Sequence, residues 1–441
     1  MNTLQTVSEW LNYMGQIHVS AIDMGLERVL PVAKKMGVLK EDLSHKPYIF
    51  TVAGTNGKGS TTALISEICT KAGFKTALYQ SPHLVSFNER IKINGIDIDD
   101  DMLIKAFNAC EKARTKCNLS LSFFEMTTLS AFWIFKELNC DVWVLEIGLG
   151  GRLDVVNIID PDVGVITNIG IDHVNWLGDD REKIGFEKAG IIRKNMPVIF
   201  GEADMPNSVA QIITEKHALC HQFGKHYVYQ DNVDDWIYSS ASITLNLPKP
   251  TIALTNASNA ISAILASKLN IGIDDIKNGL TTVKIAGRFD KRMIDNKQWI
   301  FDVGHNAHGM TFLMQSFIPY WQNIHHQCPN TKLHFLFSML ADKDIDEVLA
   351  LIATFDLPIT AWHIGRIDNV RATNVIDLNA KISHHVPHST IFMHNDIGKA
   401  VASVERLASD GDVVLCFGSF HTIGESLIAL GLADNPASVL A

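Results

Sequence analysis

The 441-residue sequence predicts an α/β protein with two domains: a larger one on a mostly parallel sheet, then a smaller α/β domain. Three observations carry this. Short apolar runs alternate with segments of helical periodicity from residue 48 onward, the pattern of strands joined by crossover helices. Several of those runs end in polar, chemistry-bearing residues, as the carboxyl ends of strands in open parallel sheets do. The alternation also breaks at a polar stretch near residue 290 and restarts at Trp299, and the length exceeds what one hydrophobic core usually organises.

The first run, Tyr48 to Ala53, reads as a buried parallel strand. It leads into Gly54-Thr55-Asn56-Gly57-Lys58-Gly59-Ser60-Thr61. Beyond these, Leu64, Ile65, Ile68, Cys69 and Ala72 recur at helical spacing as far as Gly73, a helix C-cap signal. The glycines therefore sit between a strand end and a helix start. Free backbone N–H groups and the helix dipole favour an anion there, and missing side chains let phosphate approach the main chain. Lys58 would reach terminal phosphates, and a hydroxyl of Ser60 or Thr61 could ligate Mg²⁺. The pattern departs from the usual phosphate loop, since only two residues separate the first glycines and Gly59 follows Lys58. A dinucleotide fingerprint fails as well, because Thr62 stands where a third glycine belongs. Binding of a nucleoside triphosphate on a P-loop-type domain is the reading.

Ahead of the loop, residues 6–45 predict two helices, the second with Leu26, Val29, Leu30, Val32, Ala33 and Met36 as its core face. After it, Thr76 to Tyr79 runs into Ser81-Pro82-His83, and Val142 to Leu145 runs into Glu146 and then Gly148 to Asp154. Val163 to Ile166 is followed by Asp172-His173. These strand ends should converge on one crevice with the phosphate loop. Ser81, Glu146 and His173 become candidate Mg²⁺ ligands, directly or through water, although imidazole is an uncommon partner for a hard cation. Leu121 to Glu125 precedes a helix through Phe135; Phe123 and Phe124 serve the core or offer a flat face to a ring-shaped substrate. Arg181 to Ala189 predicts a charged helix, on which Lys188 by itself reads as part of a solvated face.

Residues 225–250 predict short antiparallel strands in an insertion or at an edge, followed by helices from Asn256 to Asn270 and from Asp274 to about Val283. Gly287-Arg288-Phe289 closes this half. The expected organisation is a first domain over 1–289, a linker over 290–297 and a Rossmann-like domain over 298–441. In the latter, Phe301 leads to Asp302, Gly304-His305-Asn306 opens a helix, and Val413 to Cys416 leads to Gly418-Ser419-Phe420-His421.

Composition narrows the class. A net charge of −10 argues against nucleic acid or an anionic membrane as the main partner. Seven cysteines with no C-x-x-C pair fit reduced thiols in the cytoplasm. The N-terminus lacks a basic, apolar leader pattern, and no apolar run is long enough to span a bilayer.

Taken together, Gly54 to Ser60, Ser81-Pro82-His83-Leu84, Gly148 to Asp154, Asp172-His173 with Leu177-Gly178, Glu187 to Gly190, Gly287-Arg288-Phe289, Phe301 to Asn306 and Asp342-Lys343-Asp344 resemble the folylpolyglutamate synthase and dihydrofolate synthase family, within the Mur ligase superfamily. The resemblance spans nearly the whole chain and is nearest the bacterial bifunctional type. The short segment ahead of the loop favours this branch over the cell-wall ligases, which carry a nucleotide-sugar domain there. One departure is Gly304-His305-Asn306-Ala307-His308, where many relatives have alanine before the first His and proline after Asn.

The resemblance implies ATP-dependent addition of L-glutamate to dihydropteroate and to reduced folates through an acyl phosphate. The alternatives are a single-function folylpolyglutamate synthase or a cell-wall amino-acid ligase. A P-loop kinase or GTPase would leave the second domain unexplained. The implied cofactors are ATP and Mg²⁺ at two sites, with a monovalent cation admitted, in a cytoplasmic monomer. By the same carry-over, Ser81, Glu146 and His173 hold Mg²⁺, with Ser60 at the phosphate-bound ion. Gly57, Lys58, Gly59, Ser60, Asn256, Arg288, Asp302 and His305 serve ATP. Lys58, His173 and Lys188 are the catalytic set, Lys188 as a carbamate. Asp23, Ser122, Phe124 and Asp154 surround the pterin, and Ser419 and His421 are candidates for glutamate.

Overall fold

The computed structural model describes residues 4–18 and 25–433, organised around two sheets. The first sheet comprises β1 (Tyr48–Ala53), β2 (Thr76–Tyr79), β3 (Ile91–Ile93), β4 (Ile96–Asp97), β5 (Val142–Glu146), β6 (Val163–Ile166), β7 (Pro197–Phe200) and β8 (Leu219–Gln222). Their order is β4-β3-β2-β5-β1-β6-β7-β8, parallel from β2 to β8 with an antiparallel edge at β3 and β4. Apolar residues on both faces explain the near-continuous hydrophobic runs. Along β1, Ile49 and Ala53 enter one core and Phe50 and Val52 the other, as the two-residue period of a strand requires. Placing β1 centrally, between β5 and β6, brings the ends of those strands beside the phosphate loop.

The insertion is a three-stranded antiparallel sheet of β9 (Tyr227–Asp231), β10 (Asp235–Ser240) and β11 (Thr244–Pro248). Trp236, Tyr238, Leu245 and Leu247 alternate inward and pack on the same core as the helix Leu254–Ala266. That helix ends before the expected Asn270, because Ser267 turns extended at φ −76°, ψ 164°.

The second sheet comprises β12 (Asp290–Ile294), β13 (Lys297–Asp302), β14 (Leu333–Phe337), β15 (Ile359–Gly365), β16 (Ile391–His394) and β17 (Val413–Phe417), in the order β12-β13-β17-β14-β15-β16. Residues 290–297, expected as a linker, are instead mostly the edge strand β12, antiparallel to β13. The hairpin turns through Asp295 and Asn296, both at positive φ. Its charged residues belong to a solvated edge strand, which has the same composition as a linker. The Leu84-Val85 segment of the first half packs into the apolar core of this second unit beside Ile423 and Leu427.

Inside the second sheet runs a buried polar chain. His363 shares a 3.2 Å contact from its Nε2 to His334 Nδ1 and a 3.1 Å contact from its Nδ1 to Ser403 Oγ, while His334 Nε2 lies 3.6 Å from Asp412. With both rings neutral, one set of tautomers points every proton toward Asp412. Burial depresses both imidazoles, His363 to about 3, with His394 and Arg406 adding to the effect at His363 and Lys332 at His334. Because the folded-state values lie below the ordinary one, stability is present near neutral pH and falls as pH drops below about 6.5, where the unfolded chain takes up protons first. The urea midpoint should therefore fall between pH 7.5 and 5.5, less steeply in His363→Gln; parallel slopes would count against this.

Candidate active site

Gly57 caps the helix Lys58–Lys71 with φ 81° and no side-chain hydrogen bond, so the first-turn N–H groups stay free for an anion. A Cβ on Gly57 would stand 2.2 Å from Asn256 Oδ1, which fixes both the need for glycine and the place of Asn256 against the loop. The loop is braced by Asn168, whose side-chain oxygen accepts from the N–H groups of Thr55 and Asn56. Lys58 folds back on the loop, donating to the carbonyls of Gly54 at 3.0 Å and Thr55 at 3.3 Å. The sequence pattern could not show this, because the acceptors are main-chain atoms of the loop itself.

A cleft of about 300 Å³ opens in front of the loop. Gly57, Lys58, Gly59, Ser81, Glu146 and His173 line it from the first half; Arg288, His305, Ser419 and His421 line it further along the chain. Glu146 ends β5, is 5% exposed, and is pushed up to about 7 by burial against the opposing pull of Lys58 and Arg288. Ser60 is buried in the first turn of the helix. His173 takes φ 52° at the start of the helix Val174–Leu177, with its side chain 49% exposed. Asp302 is buried at the end of β13, accepting from the N–H groups of Phe289 and Gly304 at 2.8 Å each. Burial holds His305 near 4, with Lys343 adding to the effect, so its imidazole is neutral.

Lys188 does not lie on a solvated face. It is 4% exposed and donates to the Gly54 carbonyl at 2.8 Å, directly behind the phosphate loop. Burial, then the charge of Lys58, lowers its pKa well below that of a free lysine. Ile184, Gly185 and Ala189 are buried on the same helix, so Lys188 lies on its inward face, where its charge disguised it in the sequence.

A second pocket of about 330 Å³ adjoins the cleft and shares Ser81, Pro82, Arg90, Gly148 and His173 with it. Ser122, Phe124 and Asp154 line it. Phe124 approaches the main chain at Gly148 so closely that a Cβ there would lie 2.4 Å from its ring. Ser122 Oγ caps the helix Phe123–Glu137, and Asp154 accepts from the N–H groups of Leu149 and Val156 at 2.8 Å each. Both therefore build the pocket wall. Burial raises Asp154 to about 6 against those backbone contacts. Asp23 lies outside the described residues. Sequence reasoning missed Arg90, which is buried between the two pockets, donates to His83 Nδ1 at 2.8 Å and faces the rings of Phe87 and Phe123. An arginine just ahead of an apolar strand was its sole signal.

The two halves touch across the cleft. Lys343 pairs with Asp172 at 3.4 Å, and Asn56 contacts His308 at 2.9 Å and Asn306 at 3.3 Å.

The Mur ligase middle domain pattern matches residues 52–267, and the Mur ligase glutamate ligase domain pattern matches residues 287–420. The dihydrofolate synthase/folylpolyglutamate synthase of Escherichia coli K12 is 38% identical over 95% of this chain and 94% of its own. The chain belongs to the dihydrofolate synthase/folylpolyglutamate synthase family. Its members are ATP-dependent ligases. The structure of E. coli FolC in complex with DHPP and ADP superposes with a TM-score of 0.87 at 36% identity, covering 98% of this chain and 99% of that one. A bifunctional folylpolyglutamate synthase/dihydrofolate synthase with Mn, AMPPNP and L-glutamate bound gives 0.84 at 34% identity, covering 98% and 100%. ATP and a divalent metal are thus this family's cofactors.

The donor set suits a hard cation. Among the described residues no three His, Cys, Asp or Glu side chains group closely enough to hold a metal alone. The oxygen donors that border the cleft, the Glu146 carboxylate and the Ser81 hydroxyl, are of the kind a hard divalent cation prefers.

Proposed function

We propose that this chain ligates L-glutamate to dihydropteroate and, in a second activity, to reduced folates that already carry glutamate. The observation that carries this reading is the ring-sized pocket beside Phe124 joined through Ser81, Gly148 and His173 to a cleft that also holds the phosphate loop. A carboxylate on a flat substrate seated there reaches the γ-phosphorus of ATP. Its oxygen attacks, ADP leaves, and an acyl phosphate forms. The amine of glutamate then adds to the acyl carbon and expels phosphate.

The chain's own residues set the conditions. The free N–H groups at Gly57 and the Lys58 ammonium hold the phosphates and balance charge as it moves. Ser60, Ser81, Glu146 and His173 would hold Mg²⁺ at two sites, with a monovalent cation alongside; the metal, when bound, neutralises the approaching anions. Asn256, Arg288, Asp302 and His305 face ATP, and closing the second half over the cleft keeps water from the acyl phosphate. Lys188, a buried amine whose surroundings disfavour the ammonium form, is suited to add to CO₂; its lone pair bonds the carbon and its proton leaves to solvent, giving a carbamate. Asp154 and Phe124 frame the pterin, with Ser122 capping the helix that carries Phe124 and Asp23 as a further pterin contact. Ser419 and His421 face glutamate. The second domain begins near residue 287, and the enzyme works as a cytoplasmic monomer on small molecules.

One added glutamate displaces the reacting carboxylate by several ångströms, so a single pterin position cannot serve both activities. Purified protein should form product with dihydropteroate and, separately, with a reduced folate monoglutamate, each given ATP and glutamate. Phe124→Ala and Asp154→Asn should lower dihydropteroate use by roughly tenfold more than folate extension, since they shape the first position alone. Product from one acid only would reduce the assignment to a single-function synthase. Equal losses in both assays would remove the two-position argument.

A further inference from the structure

Five cationic side chains line the cleft: Lys58, Arg90, Arg288, Lys343 and Arg371. Four have well-defined tasks within the fold. Lys58 holds the phosphate loop carbonyls, Arg90 is buried on His83, Arg288 lies over the Phe420 ring at 5.5 Å, and Lys343 joins the two halves through Asp172. Arg371 differs. Its ion pair with Asp342 is long, 3.4 Å, and both side chains are about half exposed, 54% and 49%. An exposed pair of that length contributes little.

The backbone of Arg371 is nevertheless fixed. Its carbonyl accepts from the Ala341 N–H at 2.8 Å, its own N–H donates to Asn369 Oδ1 at 2.8 Å, and Leu340 forms a β-bridge with Ala372. A guanidinium on an anchored backbone, with few partners of its own, is a prepared fork for a carboxylate. Next to it, His421 keeps a buried Nδ1 that has no hydrogen-bond partner among the described residues. Burial, then the charge of Arg371, keeps that imidazole neutral, so it does not repel an incoming ammonium.

Glutamate is the one substrate with two carboxylates and an amine. The amine and α-carboxylate share a carbon and must stay together at the acyl centre. The side-chain carboxylate, farther along the molecule, is the part that can reach the opposite wall. We propose that Arg371 binds the side-chain carboxylate of the incoming L-glutamate and selects it over neutral amino acids. This rests on the glutamate-ligase reading above, and it assigns the selection to one residue.

The test is steady-state ADP release by the full-length protein with dihydropteroate and ATP, varying L-glutamate or L-glutamine, for wild type, Arg371→Ala and Arg371→Lys. The Ala variant should raise KM for glutamate roughly 10- to 100-fold, the usual worth of a charge-assisted hydrogen bond. KM for ATP should stay within about twofold, and kcat at saturating glutamate should be largely kept. The preference for glutamate over glutamine should shrink by the same factor, and Lys should restore part of it. An unchanged KM for glutamate overturns the proposal. So does an equal loss with glutamine, which would mean an α-carboxylate or structural role, or a matching rise for ATP. A wild-type protein with no glutamate-dependent ADP release instead overturns the ligase reading itself, and the assignment of Arg371 with it.

Discussion

Lys58→Ala should leave the fold intact and lower turnover on the order of a hundredfold or more, a barrier increase of roughly 3 kcal/mol. In the free protein the Lys58 ammonium is held by two main-chain carbonyls of its own loop. Burial disfavours its charge, and Glu146 is the largest influence opposing that. This poises the cation next to the phosphate site without needing a rearrangement of the helix. When phosphoryl transfer spreads negative charge over the γ-oxygens, a fixed cation stabilises that distribution more than the ground state. The mutant removes one donor from the Gly54 and Thr55 carbonyls, while Gly54 keeps its bond from Lys188 and Asn168 still braces the loop. The melting temperature should therefore change by only a few degrees while kcat falls. Near-normal turnover in a folded mutant would remove the phosphate loop reading.

Lys188→Ala should also lose most activity, by roughly a hundredfold, and a short carboxylic acid added to the assay should restore part of it. Lys188 is 4% exposed, donates to a carbonyl at 2.8 Å and, among the described residues, has no ion-paired carboxylate, with Asp172 only opposing the effect of burial on its charge. Neutral amines add CO₂ and ammonium ions do not. The carbamate places behind the phosphate loop an anionic oxygen donor of the kind a hard metal prefers. ¹³C-labelled bicarbonate supplied to the metal-loaded wild type should give a carbamate carbon resonance that is absent from the mutant. No such signal in active wild type would leave Lys188 as a plain structural amine and sink the carbamate.

How much of this was legible in sequence differs by residue. The phosphate loop was readable because its chemistry needs glycines in consecutive order between a strand and a helix, so motif and geometry coincide. Glu146 and His173 were readable for a similar reason. They follow apolar strands, and parallel strands deliver their ends to one edge. Asp154 and Ser122 line one pocket with Phe124, and their hydrogen bonds to Leu149, Val156 and Glu125 also hold local turns, which the sequence did not show. The stretch 290–297 misled because an exposed edge strand and a linker share the same polar composition.

The sequence by itself determined the order of strands and helices, the presence of two α/β units, and the glycine turn at Gly57 between a strand and a helix. These depend on local periodicity and on residues adjacent in the chain. Tertiary structure alone decided that Lys188 lies against Gly54, 134 positions away, that Lys58 turns inward, and that Arg371 and His421 share a wall of the cleft. Burial and charge partners are properties of space, not of neighbouring positions. A lysine on a charged helix and an arginine in a polar loop acquire their chemistry only when the fold removes water from one and faces the other toward the cleft.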